Sequence, residues 1–438
     1  MLKKIFKHKT ARSAAKHASA ASDSVPTSRP DSSANSQAAS AAAAELMEGL
    51  EFVFDHSNHG KEEPGDLLQL HLDRLGKEMS RYDNSSVDSD KAEPWPCTAQ
   101  LLALLVTACE CASSVYTPDK QPNPELSLVR FKAASITGTV KAASIWKNDA
   151  TKTLFVSVRG TASAADNMVN LNNESQDTVT SFDLGLEGTP VLAHRGFLAC
   201  TNVLLPWFTE EIIRQVELDD SLAHIVFTGH SAGGAVAALA FLHFACQNIA
   251  KLSSVFLSLI TFGAPPITSV NVAELAKGRL GVKYVLAFVN EFDLVPRLDH
   301  TYMLSVVDLY RSRYGLPPTS LDGRPDYMRG DGRRHWELPP PDHHIVGDIV
   351  ILRSNIAHGA EGQAYDSEPD GSETPSQRLD MVQVSHGEFE QLLFCDLSAH
   401  SCQVYLERLK ELSLVRPGEM VGAEDVLTDL RRTMNLRF

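Results

Sequence analysis

The chain has 438 residues, with 40 Lys and Arg against 55 Asp and Glu and a formal charge of −15. That balance argues against nucleic acid as a partner and against standing attachment to an anionic membrane surface. No run of 18 apolar residues is present, so no transmembrane helix is expected, and the length suits one large α/β domain with tails.

Residues 1–45 are Ser/Ala-rich low-complexity sequence, expected to be a disordered basic tail. The first acidic residue is Asp23, after Lys3, Lys4, Lys7, Lys9, Arg12 and Lys16. There is no apolar stretch of the kind a secretory signal needs. The composition fits a mitochondrial transit peptide as well as an unstructured tail, so the expected location is intracellular, in the cytoplasm or else in mitochondria. Residues 46–95 form a polar amino-terminal extension with one helix near 67–81.

The main domain is expected over 96–414. The stretch CTAQLLALLVTACECASSVY reads as a core helix. Strand-like runs follow near 126–132 and 143–146. TLFVSV, at 153–158, is a short apolar run bounded by turn residues, as a fully buried strand is. It ends in Arg159-Gly160-Thr161. Helical sequence covers 196–216. HIVF at 224–227 is another strand, and it runs into Gly229-His230-Ser231-Ala232-Gly233 and an Ala-rich helix. VFLSLITF at 255–262, YVLAFV at 284–289 and GDIVILR at 347–353 complete the strands. Strands that alternate with helices give a mostly parallel sheet covered on both faces. Residues 301–380 are Pro/Gly/Arg-rich and then acidic, and read as two insertions around the 347–353 strand. Helical periodicity returns over 384–412, and 415–438 reads as a helical tail. The seven cysteines are irregularly spaced, which suits reduced thiols. Cys109 and Cys111 have no second pair nearby and read as core residues.

The stretch GHSAG carries the chemistry. A serine between glycines, where a buried strand turns into a small-residue helix, fits the nucleophile elbow. Its backbone is strained and its Oγ stands clear of the sheet. The helix amino terminus points N–H groups at the place where an oxyanion develops. The plain reading is a glycine-rich turn with an ordinary serine. A nucleophilic serine needs a histidine base, a carboxylate to orient it, and two oxyanion donors. The donors are expected to be the Ala232 N–H and Thr161, which offers both an N–H and a hydroxyl. Asp293, just past the YVLAFV strand, is the best acid. Glu291 is a rival, and Asp299, past Pro296, reads as surface. Seven histidines follow Asp293. Texture alone divides the base evenly between His386 and His400, with His343, His344 and His358 as further candidates. Asp342-His343-His344 could suggest a metal, but an exposed loop explains it, and no metal or cofactor is expected.

Five motifs taken together resemble a known family. FVSVRGTASAADNMVNL, AHRGF at 193–197, FTGHSAGGAVAAL, ITFGAPP at 260–266 and NEFDLVPRL at 290–298 are similar to the class 3 lipases, the fungal-lipase-like branch of the α/β-hydrolase fold. The resemblance covers 97–300 well and 343–412 weakly. It implies Ser231 as nucleophile, Asp293 as acid and Thr161 as side-chain oxyanion donor. Asp396, His400 and Tyr405 in DLSAHSCQVYLERL resemble the family's closing pattern, which moves the choice of base to His400, with His386 second. His194 matches the family's His before Gly-Phe and is read as structural or site-supporting. Residues 162–173, with Met168, Val169 and Leu171, correspond to the lid, although core packing gives the same stripe. The spacing from Asp293 to His400 is longer than the family's, and the secretory signal and disulfide pattern of the secreted fungal lipases are missing.

The resemblance implies a serine ester hydrolase acting on acylglycerols or related lipid esters, in transient contact with a membrane or lipid droplet. The alternatives are a phospholipase A1 or small-ester esterase on the same residues, or a catalytically silent α/β-hydrolase used as an interaction platform.

Overall fold

The apolar runs that alternate with turn residues become strands of one sheet. The structure, a computed structural model, describes residues 66–88, 92–117, 121–135, 141–160, 175–177, 191–247, 249–312, 326–328, 333–355 and 378–414. The basic tail, Thr161, the lid stretch 162–173, His358 and the 415–438 tail lie outside the described residues.

The strands are β1 (Glu93–Pro94), β2 (Leu126–Lys132), β3 (Ala143–Asn148), β4 (Thr153–Val158), β5 (Ser175–Asp177), β6 (Leu192–His194), β7 (His224–His230), β8 (Phe256–Phe262), β9 (Val282–Asn290), β10 (Asp326–Met328), β11 (Arg334–Trp336), β12 (Asp348–Asn355) and β13 (Arg378–Val384). Among the described residues nine of them form one sheet in the order β1-β13-β12-β9-β8-β7-β4-β3-β2. The middle five, β12, β9, β8, β7 and β4, run parallel. The edges are antiparallel, β13 and β1 on one side and β3 and β2 on the other. This is the α/β-hydrolase arrangement expected from the sequence.

Every residue of β4 and β7 is buried. Helices cover both faces, so these strands carry apolar residues at successive positions rather than alternating. Ile225 and Phe227 belong to one core, with α3 (Arg195–Leu218) and α4 (Ala232–Cys246). Val226 belongs to the other, with α2 (Ala99–Ser114) and α8 (Cys402–Leu414). Thr98 caps α2 by accepting the Leu101 N–H at 3.1 Å. Cys109 and Cys111 sit inside that second core, and burial pushes both thiols well above their ordinary range.

The carboxyl-terminal third differs from the sequence reading in three places. The stretch after Asp299 opens with a helix, α6 (His300–Ser312), which packs beside α1 (Asp66–Met79). Asp299 is buried rather than at the surface: its Oδ1 accepts the Thr301 N–H at 2.8 Å and its Oδ2 the Asp342 N–H at 2.7 Å. It holds the helix start and the incoming 342–344 segment together. Of the helical sequence expected over 384–412, the first segment is only one turn, α7 (His386–Phe389), followed by a loop and then α8. Leu392, Leu393 and Phe394 of that loop are buried in two different clusters, so their helix-like spacing serves separate cores. The remaining short helix is α5 (Ala273–Lys277). No helix among the described residues is long and apolar enough to cross a membrane.

Candidate active site

In an open parallel sheet the chain turns out at the carboxyl ends of the strands, and functional groups gather there. Ser231 follows β7, Gly263 follows β8 and Asp293 follows β9. Ser231 has φ of 57° and ψ of −135°, outside the regions an L-residue ordinarily occupies. Such a conformation costs on the order of 1–3 kcal/mol and persists only where the surroundings fix it. They do so here. The Ser231 N–H donates to the Phe262 carbonyl at 2.9 Å, and its own carbonyl accepts the Gly234 N–H at 2.8 Å. The turn is also too tight for side chains on its flanks. A Cβ on Gly233 would lie 2.2 Å from the Val158 carbonyl oxygen, and one on Gly229 would lie 2.5 Å from the Gly233 backbone. The glycines of GHSAG are therefore required by the close approach of α4 to β4 and β7.

Ala232 is the first residue of α4, where backbone N–H groups have no partner earlier in the helix. The end of β4 lies against the same helix start, through the Gly233 approach to Val158 and Gly160. Thr161, the next residue, lies outside the described residues.

Asp293 is fully buried in the turn Asn290–Asp293. Its Oδ2 accepts from His400 Nδ1 at 2.9 Å and from Tyr405 Oη at 2.6 Å, while its Oδ1 accepts the Val295 N–H at 2.9 Å and lies 3.1 Å from His400 Nδ1. Three donors thus converge on one carboxylate and fix its orientation. Burial, then the neighbouring Asp293, raises the Tyr405 phenol well above its ordinary value, so it stays a donor.

His400 lies 107 residues beyond Asp293, on a short 3₁₀ turn, Ser398–His400. The His400 carbonyl accepts the His230 Nε2–H at 2.6 Å, and the two imidazoles lie in contact, tilted by 33° with centroids 4.6 Å apart. Burial, then repulsion by His400, holds His230 well below the ordinary histidine value, so it is neutral. Asn290 Nδ2 donates to the Ala399 carbonyl at 2.8 Å, and the Asn290 N–H donates to Tyr405 Oη at 2.9 Å. On the other side Gly263, with φ of +58°, leaves room for the ring: a Cβ there would lie 3.0 Å from His400 Cε1. With Nδ1 on the carboxylate, the other ring nitrogen, Nε2, is buried and makes no hydrogen bond among the described residues. An imidazole bound in this way can accept a proton at Nε2 from a hydroxyl beside it.

The rival residues are engaged elsewhere. Glu291 accepts the Val87 N–H at 3.2 Å, and burial raises its carboxyl. His386 donates from Nε2 to the Gly347 carbonyl at 2.9 Å, beside the first residue of β12 and so at the opposite end of that strand from the Asp293 turn. His344 Nδ1 meets Glu390 Oε1 at 2.7 Å. His343 and His344 are half-buried, which corrects the expectation of an exposed loop. His194 is buried, with its ring centroid 6.0 Å from that of His343; burial, then His343, lowers it to about 3. The sequence reading missed the clamps supplied by His230 and Asn290. Their signals were a histidine directly before the elbow serine and a buried Asn at the end of β9.

The description "Lipase (class 3)" belongs to the family whose model matches residues 155–303, the stretch that carries the elbow and Asp293. Over that stretch the chain is similar to the class 3 lipases. Over 215 residues it is 26% identical to the chloroplastic phospholipase A1 PLIP2 of Arabidopsis thaliana, a match that covers 48% of this chain and 29% of the relative. It is 30% identical over 111 residues to the chloroplastic phospholipase A1 PLIP1 of the same plant, covering 25% of this chain and 17% of the relative. The chain thus spans less than a third of the length of these curated relatives. Among solved structures, the lipase from Rhizopus microsporus var. chinensis aligns with a TM-score of 0.44 and 17% identity, covering 73% of this chain and 91% of that one.

Proposed function

We propose that the chain is a serine ester hydrolase acting on acylglycerols or related lipid esters. The observation that carries the reading is the buried Asp293–His400 pair at the same strand ends as the strained Ser231. In the reaction Ser231 Oγ attacks the ester carbonyl carbon while His400 Nε2 takes the hydroxyl proton. The carbonyl electrons move onto oxygen, and the oxyanion is held by the Ala232 N–H and by Thr161. Each such donor is worth on the order of 3 kcal/mol in the transition state. Collapse expels the alcohol, which receives the proton from His400, and leaves an acyl group on Ser231. A water activated by His400 then releases the fatty acid. Asp293 keeps the imidazole in one tautomer and stabilises its charged form.

A second reading, phospholipase A1 action, is favoured by the names of the two plant relatives. The two readings share every step and differ in the leaving group. They separate on one panel: triacylglycerol, diacylglycerol, and phosphatidylcholine with different acyl chains at its two glycerol positions, each dispersed in detergent. Fatty acid release from the acylglycerols is the expected result. Release confined to the sn-1 chain of phosphatidylcholine would replace it with phospholipase A1. A chain with a reactive Ser231 that cleaves none of the three would remove lipid esters as its substrates.

A further inference from the structure

A second cluster of side chains lies away from Ser231, where the 342–347 segment meets α7. We propose that His344, His386 and Glu390 form a binding site for one divalent transition-metal ion of the zinc class. Each residue offers a ligand atom, and the three atoms lie within 4.8 Å of one another. Ligands held 2.0–2.1 Å from a tetrahedral ion stand about 3.3 Å apart. The His344–Glu390 pair, at 2.7 Å, opens slightly to admit an ion, and the wider separations close.

The local backbone is built to hold these groups. His386 and Glu390 are four residues apart, at the start and the carboxyl-terminal cap of α7, so they share a face. A capping box fixes that turn: Ser385 Oγ accepts the Glu388 N–H at 3.2 Å, and Glu388 Oε2 accepts the Ser385 N–H at 3.0 Å. The bond from His386 Nε2–H to the Gly347 carbonyl leaves the ring's lone pair on Nδ1. An N–H anchored on a backbone carbonyl is the arrangement that orients metal-ligating histidines. His344 is locked through its backbone, donating to the Thr268 carbonyl at 2.7 Å and accepting the Ile267 N–H at 2.9 Å. The nearby Arg297 cation bonds the backbone carbonyls of Glu390 and Leu392. The site is half-buried, with the His344 and Glu390 side chains 20% and 19% exposed, so water can complete the coordination. Two histidines and one carboxylate with an open position make an established zinc donor set. A bound ion would join three segments, 267–268, 344–347 and 386–390. The first of them follows Gly263, which lies against His400.

The test uses the full-length chain, stripped with a chelator and titrated by calorimetry with zinc chloride, then with cobalt(II) followed by visible absorption. The expected result is one ion per chain, a higher unfolding temperature, and cobalt d–d bands with no thiolate charge-transfer band. Glu390→Gln, which keeps the size and a hydrogen bond to His344, and His386→Ala should each weaken binding tenfold or more. Saturable binding that is absent, unchanged in Glu390→Gln, or marked by a thiolate band from the seven cysteines would overturn the site.

Discussion

Tyr405 Oη is the third donor on Asp293 and also the acceptor for the Asn290 N–H, so one phenol ties the acid to the end of β9 and to α8. Its ring packs against Phe262 and His230, at 6.2 Å and 5.8 Å between centroids, and Tyr405→Phe preserves that packing. A hydrogen bond to a charged group contributes about 1.5–3 kcal/mol. Tyr405→Phe is therefore expected to lower kcat on a soluble ester by about ten- to a hundredfold with KM little changed. Steady-state kinetics at wild-type kcat would show that Asp293 is positioned without it. At this scale the strained turn at Ser231 and the strand-end turn at Asp293 were legible, because each imposes local residue types. The histidine that meets Asp293 was not legible from texture, since a histidine on a loop carries no local constraint, and only the resemblance of the closing segment pointed to His400. Texture left His386 and His400 level, and long-range pairing with Asp293 separates them.

Secondary-structure elements were legible where one physical role governs each residue. TLFVSV coincides with β4 because both faces are covered and every position is apolar. The loop after α7 was not legible, because Leu392, Leu393 and Phe394 imitate a helix while packing into different cores. Elements also carry buried titratable groups. His224, at the start of β7, bonds Ser258 Oγ at 2.7 Å, and burial lowers it to about 3; His194, just before α3, is lowered equally. Both titrate near 6.5 in the unfolded chain. Between about pH 6.5 and 3 the unfolded state binds more protons than the folded state, so stability falls as pH falls. The slope is on the order of 1 kcal/mol per pH unit for each histidine. Urea midpoints should decline steadily from pH 6.5 to 4.5, above the range where most carboxylates titrate. His224→Gln should make the decline shallower by about one proton. A flat profile over that window would contradict the burial of these groups.

Across the whole molecule, three separated stretches meet at one end of the parallel strands. Ser231 comes from the turn between β7 and α4, Asp293 from the turn after β9, and His400 from the segment ahead of α8. Between Asp293 and His400, Asp299 bonds the 342–343 segment, β12 pairs with β9 and β13 pairs with β12. These are long-range pairings, which periodicity does not report. We propose that this convergence activates Ser231. The most direct measurement is fluorophosphonate labelling of the detergent-treated wild type beside Ser231→Ala, His400→Ala and His386→Ala. The expected result is labelling of the wild type and of His386→Ala, and its loss in Ser231→Ala and His400→Ala. Labelling that survives His400→Ala and disappears with His386→Ala, or a wild type that never labels, would contradict it.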